Sequence, residues 1–352
     1  MKRSSGNIGS EVTLKELKHL YYELQSLERH KDILPHARDT LLLLLSESLE
    51  TLSARLSTAS GILFIASYDR DKLSAFVRSE QDSTTKSRED AAKSIKQSSP
   101  LRYVDGAWLG HLNKASTLFA LRMFTKNASQ VLFEEYGDGD LGKHHVHLYR
   151  QLVRDVSPDL PAGDSRDFIH PRHSLDDIHV WKAAVAQLLI SLLPQEFFSG
   201  ILGFNLHFEG VSKDTLLASR ELRELGFDPY YFLLHISIDN ADSGHTAMAL
   251  QVVVDYMEHL ISTEDSNAMQ RAWRGVQAGF ILSQNLTSRT SKLPQDYSQT
   301  CIIPQSKSEI TLEKILLSKS AASHRIQCNV GIKVGFQTLS QWLEPKTITS
   351  HL

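Results

Sequence analysis

Apolar residues recur along this chain with the period of helices. Leu14, Leu17, Tyr21, Leu24 and Leu27 are spaced at three and four residues. Leu42, Leu45, Leu49, Leu52 and Leu56 repeat that spacing, with Glu47, Ser48, Glu50 and Thr51 on the opposite face. Pro35 stands between the two stripes and predicts a break, hence an antiparallel helical pair. Ile62–Ile65 suits a short strand or a buried helix start equally well. The stretch 79–99 is polar, charged and nearly free of large apolar residues, which predicts a linker or loop. The expected organisation is an N-terminal helical extension over 1–80, a polar linker over 81–99 and one main domain over 100–352.

Further helical patterns cover 113–135, 144–156, 175–192, 196–210, 214–225, 230–262, 266–284, 310–325 and 331–343. Breaks containing proline fall near 157–171, 194, 229 and 293–304. No segment sustains period-two alternation, no repeat is evident, and no glycine-rich phosphate loop occurs. The pattern predicts an all-α protein whose one-sided helices bury their stripes against each other in a bundle.

Composition narrows the classes. The 352 residues are 41% hydrophobic and 22% charged, ordinary for a globular chain. A net charge of −3 argues against nucleic acid or an anionic membrane as partner, since both favour basic surfaces. Cys301 and Cys328 form no CxxC pair, so neither a disulfide framework nor a thiolate zinc site is expected, and a reducing, cytoplasmic setting fits. Near the start the longest apolar run is Leu41–Leu45, far short of the roughly 20 residues that span a bilayer. The opening MKRSSGNIGSEV has no apolar segment behind its basic residues, so no secretory signal is expected. The glycosylation-type triplets at Asn127 and Asn285 then read as chance matches.

Three segments place ionisable groups on apolar faces. In HISIDNADSGH, residues 235–245, a helix would bring His235, Asp239 and Asp242 within about 60° of one another, with His245 to the side. Asp239 or Asp242 could equally cap a helix that begins near Ser243. In LFEEYGDGDLGKHHVHLYRQLV, residues 132–153, Glu135 and His145 each share the apolar stripe of their own helix. Gly137 and Gly139 let the backbone turn between them, while Glu134, His144 and His147 fall on other faces. In ILGFNLHFEG, residues 201–210, Glu209 follows Leu206 and Leu202 on one stripe, and Arg220 or Arg223 could offer it a partner.

Burying an unpaired carboxylate costs several kcal/mol, so several on separate helices call for a shared counter-charge. Glu135, His145, Glu209, His235, Asp239 and one of Asp242 or His245 make about three carboxylates and three imidazoles. That is the ligand set of a di-metal carboxylate site in a helical bundle. Nitrogen and oxygen donors without thiolate suit iron or manganese.

These residues also carry a resemblance. DGAWL (105–109), EEYGDGD…HHVHLY (134–149), LGFNLHFE (202–209) and HISIDNADSGH (235–245) resemble, in order, the heme-oxygenase-like di-iron oxidases and oxygenases, often labelled iron-containing redox enzymes. The likeness spans roughly 100–290, and the Glu-to-His spacing of ten matches the family pattern. It implies an all-α, heme-oxygenase-like bundle that binds no heme and uses two non-heme irons and O2. The implied chemistry is N-oxygenation, desaturation or oxidative C–C cleavage of a small amino or carboxylic acid. The resemblance places ligands at Glu135, His145, Glu209, His235 and Asp239. Where many members have His-x3-Asp-x2-His, position 242 is Asp and the next His is His245. The expected sixth ligand is His245, with Gly244 permitting the distortion and Asp242 orienting a histidine.

Trp108 and Tyr136 could line the pocket, His111 and His324 could support ligands, and Arg150 or Arg172 could hold a substrate carboxylate. The rival expectation is a non-catalytic helical protein of the same fold, in which the leucine stripe 42–56 binds a partner or a second copy as a homodimer.

Overall fold

The computed structural model describes residues 12–57, 68–71, 73, 88–114, 117–210, 213–239, 244–263, 266–287, 333–334 and 337–338. The chain divides into two compact units interleaved in sequence. One comprises 1–70, 92–209 and 248–289, and the other 71–91, 210–247 and 290–352.

The first unit is built around a helix that is buried on most of its surface. Helix α1 spans Leu14–Leu24, α2 Leu34–Ser57, α3 Arg88–Gln97 and the single turn α4 Ser99–Arg102. Helix α5 follows over Phe119–Glu135, α6 over His145–Val156, α7 over Ile178–Ile190 and α8 over Phe198–Phe208. In α7, Val180, Trp181, Ala183, Ala184, Val185, Ala186, Leu189 and Ile190 are all buried, as expected of a helix that is apolar all round. Asp177 starts it, its Oδ1 accepting from the His179 and Val180 amides. Helices α1, α2, α4 and α8 pack on α7.

The tightest crossing joins α8 to α12, Ser266–Thr287. Gly279 of α12 faces the Gly200 backbone of α8, Gly203 of α8 faces the Val276 backbone of α12, and Ser199 Oγ sits against Gly275. A Cβ at Gly203 would lie 1.9 Å from the Val276 carbonyl oxygen, and one at Gly279 would lie 1.9 Å from that of Gly200. Only glycine allows this approach, and it sets the course of the helix that ends at Glu209.

In the second unit, α9, Lys213–Glu224, and α10, Tyr230–Ile238, pack together. Gly226, at φ +76°, reverses the chain between them, and the Phe227 amide bonds back to Leu222. Helix α11, His245–Thr263, begins in this unit and ends in the first. The strands β1, Lys333–Val334, and β2, Gln337–Thr338, pair antiparallel. Among the described residues no helix is long and apolar enough to cross a membrane.

The all-α class holds, with local departures. The buried stripe of α2 is Ala37, Thr40, Leu41, Leu44, Leu45 and Ser48, while Leu42 is 39% exposed. Five consecutive leucines leave the phase open, and the small residues Ala37, Thr40 and Ser48 settle it. Ser48, expected on the outer face, is buried with its hydroxyl donating to the Leu44 carbonyl. Pro35 lies in the first turn of α2 rather than in a gap, where its missing N–H costs nothing. The predicted antiparallel pair does not form as such: α1 packs on α7, and α2 on α12 and α7.

Part of the expected linker is the helix α3, which buries Ala91 and Ile95. The pattern 230–262 is two helices, broken after Ile238. Within 331–343 the described residues are strands rather than helix. Ile62–Ile65, the pattern 310–325 and the side chains of Leu52 and Leu56 lie outside the described residues.

Candidate metal centre

Glu135 is the last residue of α5, and His145 is the first of α6. Between them Gly137, Asp138 and Gly139 have φ of +77°, +51° and +85°, three successive left-handed residues. A short turn over Leu141–Lys143 follows, closed by Asp140 Oδ1 accepting from the Gly142 amide at 2.9 Å. The chain thus folds straight back on itself. A Cβ at Gly137 would stand 2.7 Å from the His144 backbone nitrogen, so the reversal needs glycine there. Its result is His145 Nδ1 2.6 Å from Glu135 Oε2, the two residues 0% and 2% exposed.

Two more carboxylates of the first unit converge on Glu135. Glu209 caps the C-terminus of α8 and is 2% exposed. A carboxylate oxygen of Glu209 lies within 4.8 Å of one on Glu135. Asp105 follows α4, and its carboxylate lies within 4.8 Å of donor atoms on both Glu135 and His145. Glu135 therefore stands in two groupings, one with Asp105 and His145 and one with Glu209.

The second unit orders its own set. His235 Nδ1 donates to the Tyr231 carbonyl oxygen at 2.8 Å, which turns the Nε2 lone pair outward as a potential ligand. Helix α10 ends at Asp239, whose φ of −90° and ψ of 46° leave the helical region. His245 opens α11, fully buried, with Nδ1 3.0 Å from Asp239 Oδ1. Thr246 ties the break by donating Oγ1 to the Asp239 carbonyl at 3.1 Å. The i, i+4, i+7 arrangement expected over 235–242 therefore does not apply, because the helix stops at the second of the three. Asp242 lies outside the described residues.

The remaining polar candidates sort clearly. Glu134 accepts from Gln130 at 2.9 Å, and His147 contacts Gln151 at 2.9 Å, both along their own helices and away from the buried set. His144 stacks on Tyr136, which is 43% exposed, so Tyr136 is not a buried pocket wall. Burial pushes the Tyr136 phenol above its ordinary range, and the Glu135 charge adds to this. Trp108 is 1% exposed; its Nε1 donates to Asn205 Oδ1 at 2.9 Å and its ring packs on Phe208 at 4.2 Å.

Burial lowers the imidazole pKa of His111. Arg172 is ion-paired with Asp167. Arg220 bonds Glu224 at 3.1 Å, Arg223 and Arg150 are exposed, and His324 lies outside the described residues. Asp105 was missed as a candidate, although DGAWL contains it. Its signal was a lone carboxylate among Leu101, Val104, Trp108 and Leu109, all buried.

The donor set fits a metal. Carboxylates this close in a low-dielectric interior repel one another, and desolvation costs several kcal/mol per ion. A multivalent cation offsets both effects. Carboxylate and imidazole donors without thiolate match iron or manganese.

A family model described as iron-containing redox enzyme matches residues 93–280, more than half of the 352-residue chain. Asp105, Glu135, His145, Glu209, His235, Asp239 and His245 all lie within the matched span. Neither a curated protein nor a solved structure matches the chain. The chain belongs to the family of iron-containing redox enzymes with a heme-oxygenase-like helical fold, and is an oxidoreductase.

Proposed function

We propose that this chain is a non-heme di-iron, O2-dependent oxidase or oxygenase acting on a small amino or carboxylic acid. The ligands in this reading are Glu135, His145, Glu209, His235, Asp239 and His245, with Asp242 as a residue that orients one of the histidines. The observation that carries it is the double membership of Glu135, whose carboxylate neighbours Asp105 and His145 on one hand and Glu209 on the other. This double membership supports the reading, because Glu135 would help to hold metal in either grouping. Iron, when bound, supplies the electrons and the Lewis acidity for O2 chemistry, which side chains alone do not provide.

The chain's own residues hold and shield that group. His235 keeps its orientation through Tyr231. Trp108, Phe204 and Phe208 pack as an aromatic cluster at the end of the helix that Glu209 caps, with Phe204 and Phe208 stacked at 5.8 Å. Neutral imidazoles and ionised carboxylates are required for ligation, so binding iron releases protons and weakens as pH falls. N-oxygenation, desaturation and oxidative C–C cleavage are the reaction classes this reading includes, in a cytoplasmic protein.

The test is anaerobic loading with ferrous iron, followed by O2 uptake against a panel of amino and fatty acids with products read by mass spectrometry. Substrate-triggered O2 consumption with a new product supports the reading. A folded chain that binds no iron sinks it.

A further inference from the structure

Helix α5 carries large apolar side chains on the face it turns away from the core. Its buried stripe is Phe124, Ala128, Val131 and Glu135, at three- and four-residue steps. Phe119, Met123 and Phe133 fall roughly opposite that stripe and are 86%, 66% and 59% exposed. Leu118, just ahead of the helix, is 52% exposed. Scattered exposed apolar residues need no explanation, but Leu118, Phe119 and Met123 crowd little more than one turn. The exposed residues Arg122 and Lys126 share the outer face with them, and exposed Lys114 shortly precedes the helix. The Lys114 amide donates to Thr117 Oγ1 at 2.9 Å, and Arg122 Nε donates to the Thr117 carbonyl at 3.0 Å. Both residues are thereby drawn to the first turn. No Asp or Glu occurs from Gly106 to Phe133. Helix α11 packs Tyr256 and His259 on Phe124; of its acids, Asp255 accepts from Gln251 and Glu258 from Arg70.

We propose that the first turns of α5 dock the protein on an anionic lipid surface. Leu118, Phe119 and Met123 enter the headgroup layer, while Lys114, Arg122 and Lys126 meet the lipid anions. The whole-chain charge of −3 argued against such a surface. Screening limits each charge to about 8 Å at physiological ionic strength, so the local patch decides what lies against it. A second copy of the chain fits this face less well. In a two-fold contact the face meets itself, and its cations would oppose their own copies. The apolar side chains stand out from a convex helix, and a fluid interface accepts them without a preformed pocket. Three cations and three apolar anchors give a reversible, peripheral attachment rather than a span. Glu135 lies on the opposite side of the same helix, so docking leaves the buried centre covered.

The test is cosedimentation of the 352-residue chain with vesicles of phosphatidylcholine alone or mixed with phosphatidylserine. Binding to the mixed vesicles that weakens as salt is raised is the expected result. Lys126→Gln should weaken it about fivefold, and adding Lys114→Gln should weaken it about fivefold again. Phe119→Ser with Met123→Ser should abolish it while leaving thermal unfolding and iron uptake as in wild type, since both side chains face solvent. Equal binding to the two vesicle types, no binding to either, or variants that bind like wild type would overturn the proposal. So would a dimer in vesicle-free solution that the Phe119→Ser, Met123→Ser variant converts to monomer, because the face would then belong to a second copy. None of these outcomes bears on iron binding, so the di-iron reading stands or falls separately.

Discussion

Glu135 and His145 are ten residues apart in sequence, yet Oε2 and Nδ1 are 2.6 Å apart in space. Neither has meaningful contact with solvent. The closeness is produced by backbone conformation, because α5 ends and α6 begins across three left-handed residues.

Gly137→Ala should therefore disturb the site more than Gly139→Ala. Both positions have positive φ and pay about 1–2 kcal/mol for a Cβ. Only at Gly137 does the new atom meet backbone, 2.7 Å from the His144 nitrogen; at Gly139 nothing lies within 4 Å. Expected are similar losses from φ alone, plus a further loss of stability and of iron affinity confined to Gly137→Ala. Thermal unfolding and iron titration read the two effects.

Glu135→Gln separates the folding of the chain from its metal chemistry. In the iron-free chain the relief of repulsion among close carboxylates is opposed by loss of the Glu135–His145 contact, so the stability of the iron-free variant serves as its own reference. The wild type should gain about 2.7 kcal/mol when free iron is 100 times its dissociation constant. The variant should gain almost none. Paired unfolding curves with and without ferrous iron measure this.

The α8–α12 crossing predicts a purely structural defect. Gly279→Ala drives a Cβ to 1.9 Å from the Gly200 carbonyl oxygen, and backbone cannot rotate aside as a side chain can. A loss of about 3 kcal/mol or more is expected, at the upper end for overpacking. Denaturant unfolding checks it.

Thr246→Val tests the break between α10 and α11. It removes the bond from Oγ1 to the Asp239 carbonyl while keeping the side-chain shape. The expected cost is about 1 kcal/mol in stability, together with weaker iron binding because Asp239 and His245 lose their fixed relation. Unfolding and chelator competition report the two effects.

How much of this was legible in the sequence depended on the range of the interaction. Glu135 and His145 could be picked out because each sits on the apolar stripe of its own helix and glycines lie between them. The α2 phase could not, since Leu41–Leu45 is apolar on every face and its orientation is chosen by what it packs against. The 230–262 pattern hid a break because Asp239 leaves the helix through its backbone conformation, and periodicity continues across the gap. Helix α3 was obscured by its charges, with only Ala91 and Ile95 to mark a buried side. Asp105 offered only a lone carboxylate among apolar residues, because its neighbours Glu135 and His145 are thirty and forty residues away and come near by packing alone.

The most direct measurement is iron content together with 57Fe Mössbauer spectroscopy of the anaerobically loaded 352-residue chain. Close to two irons per chain, both high-spin ferrous in nitrogen and oxygen coordination and both lost in Glu135→Gln, is the predicted result. A folded chain that takes up no iron, or that binds two irons unaffected by Glu135→Gln, would contradict it.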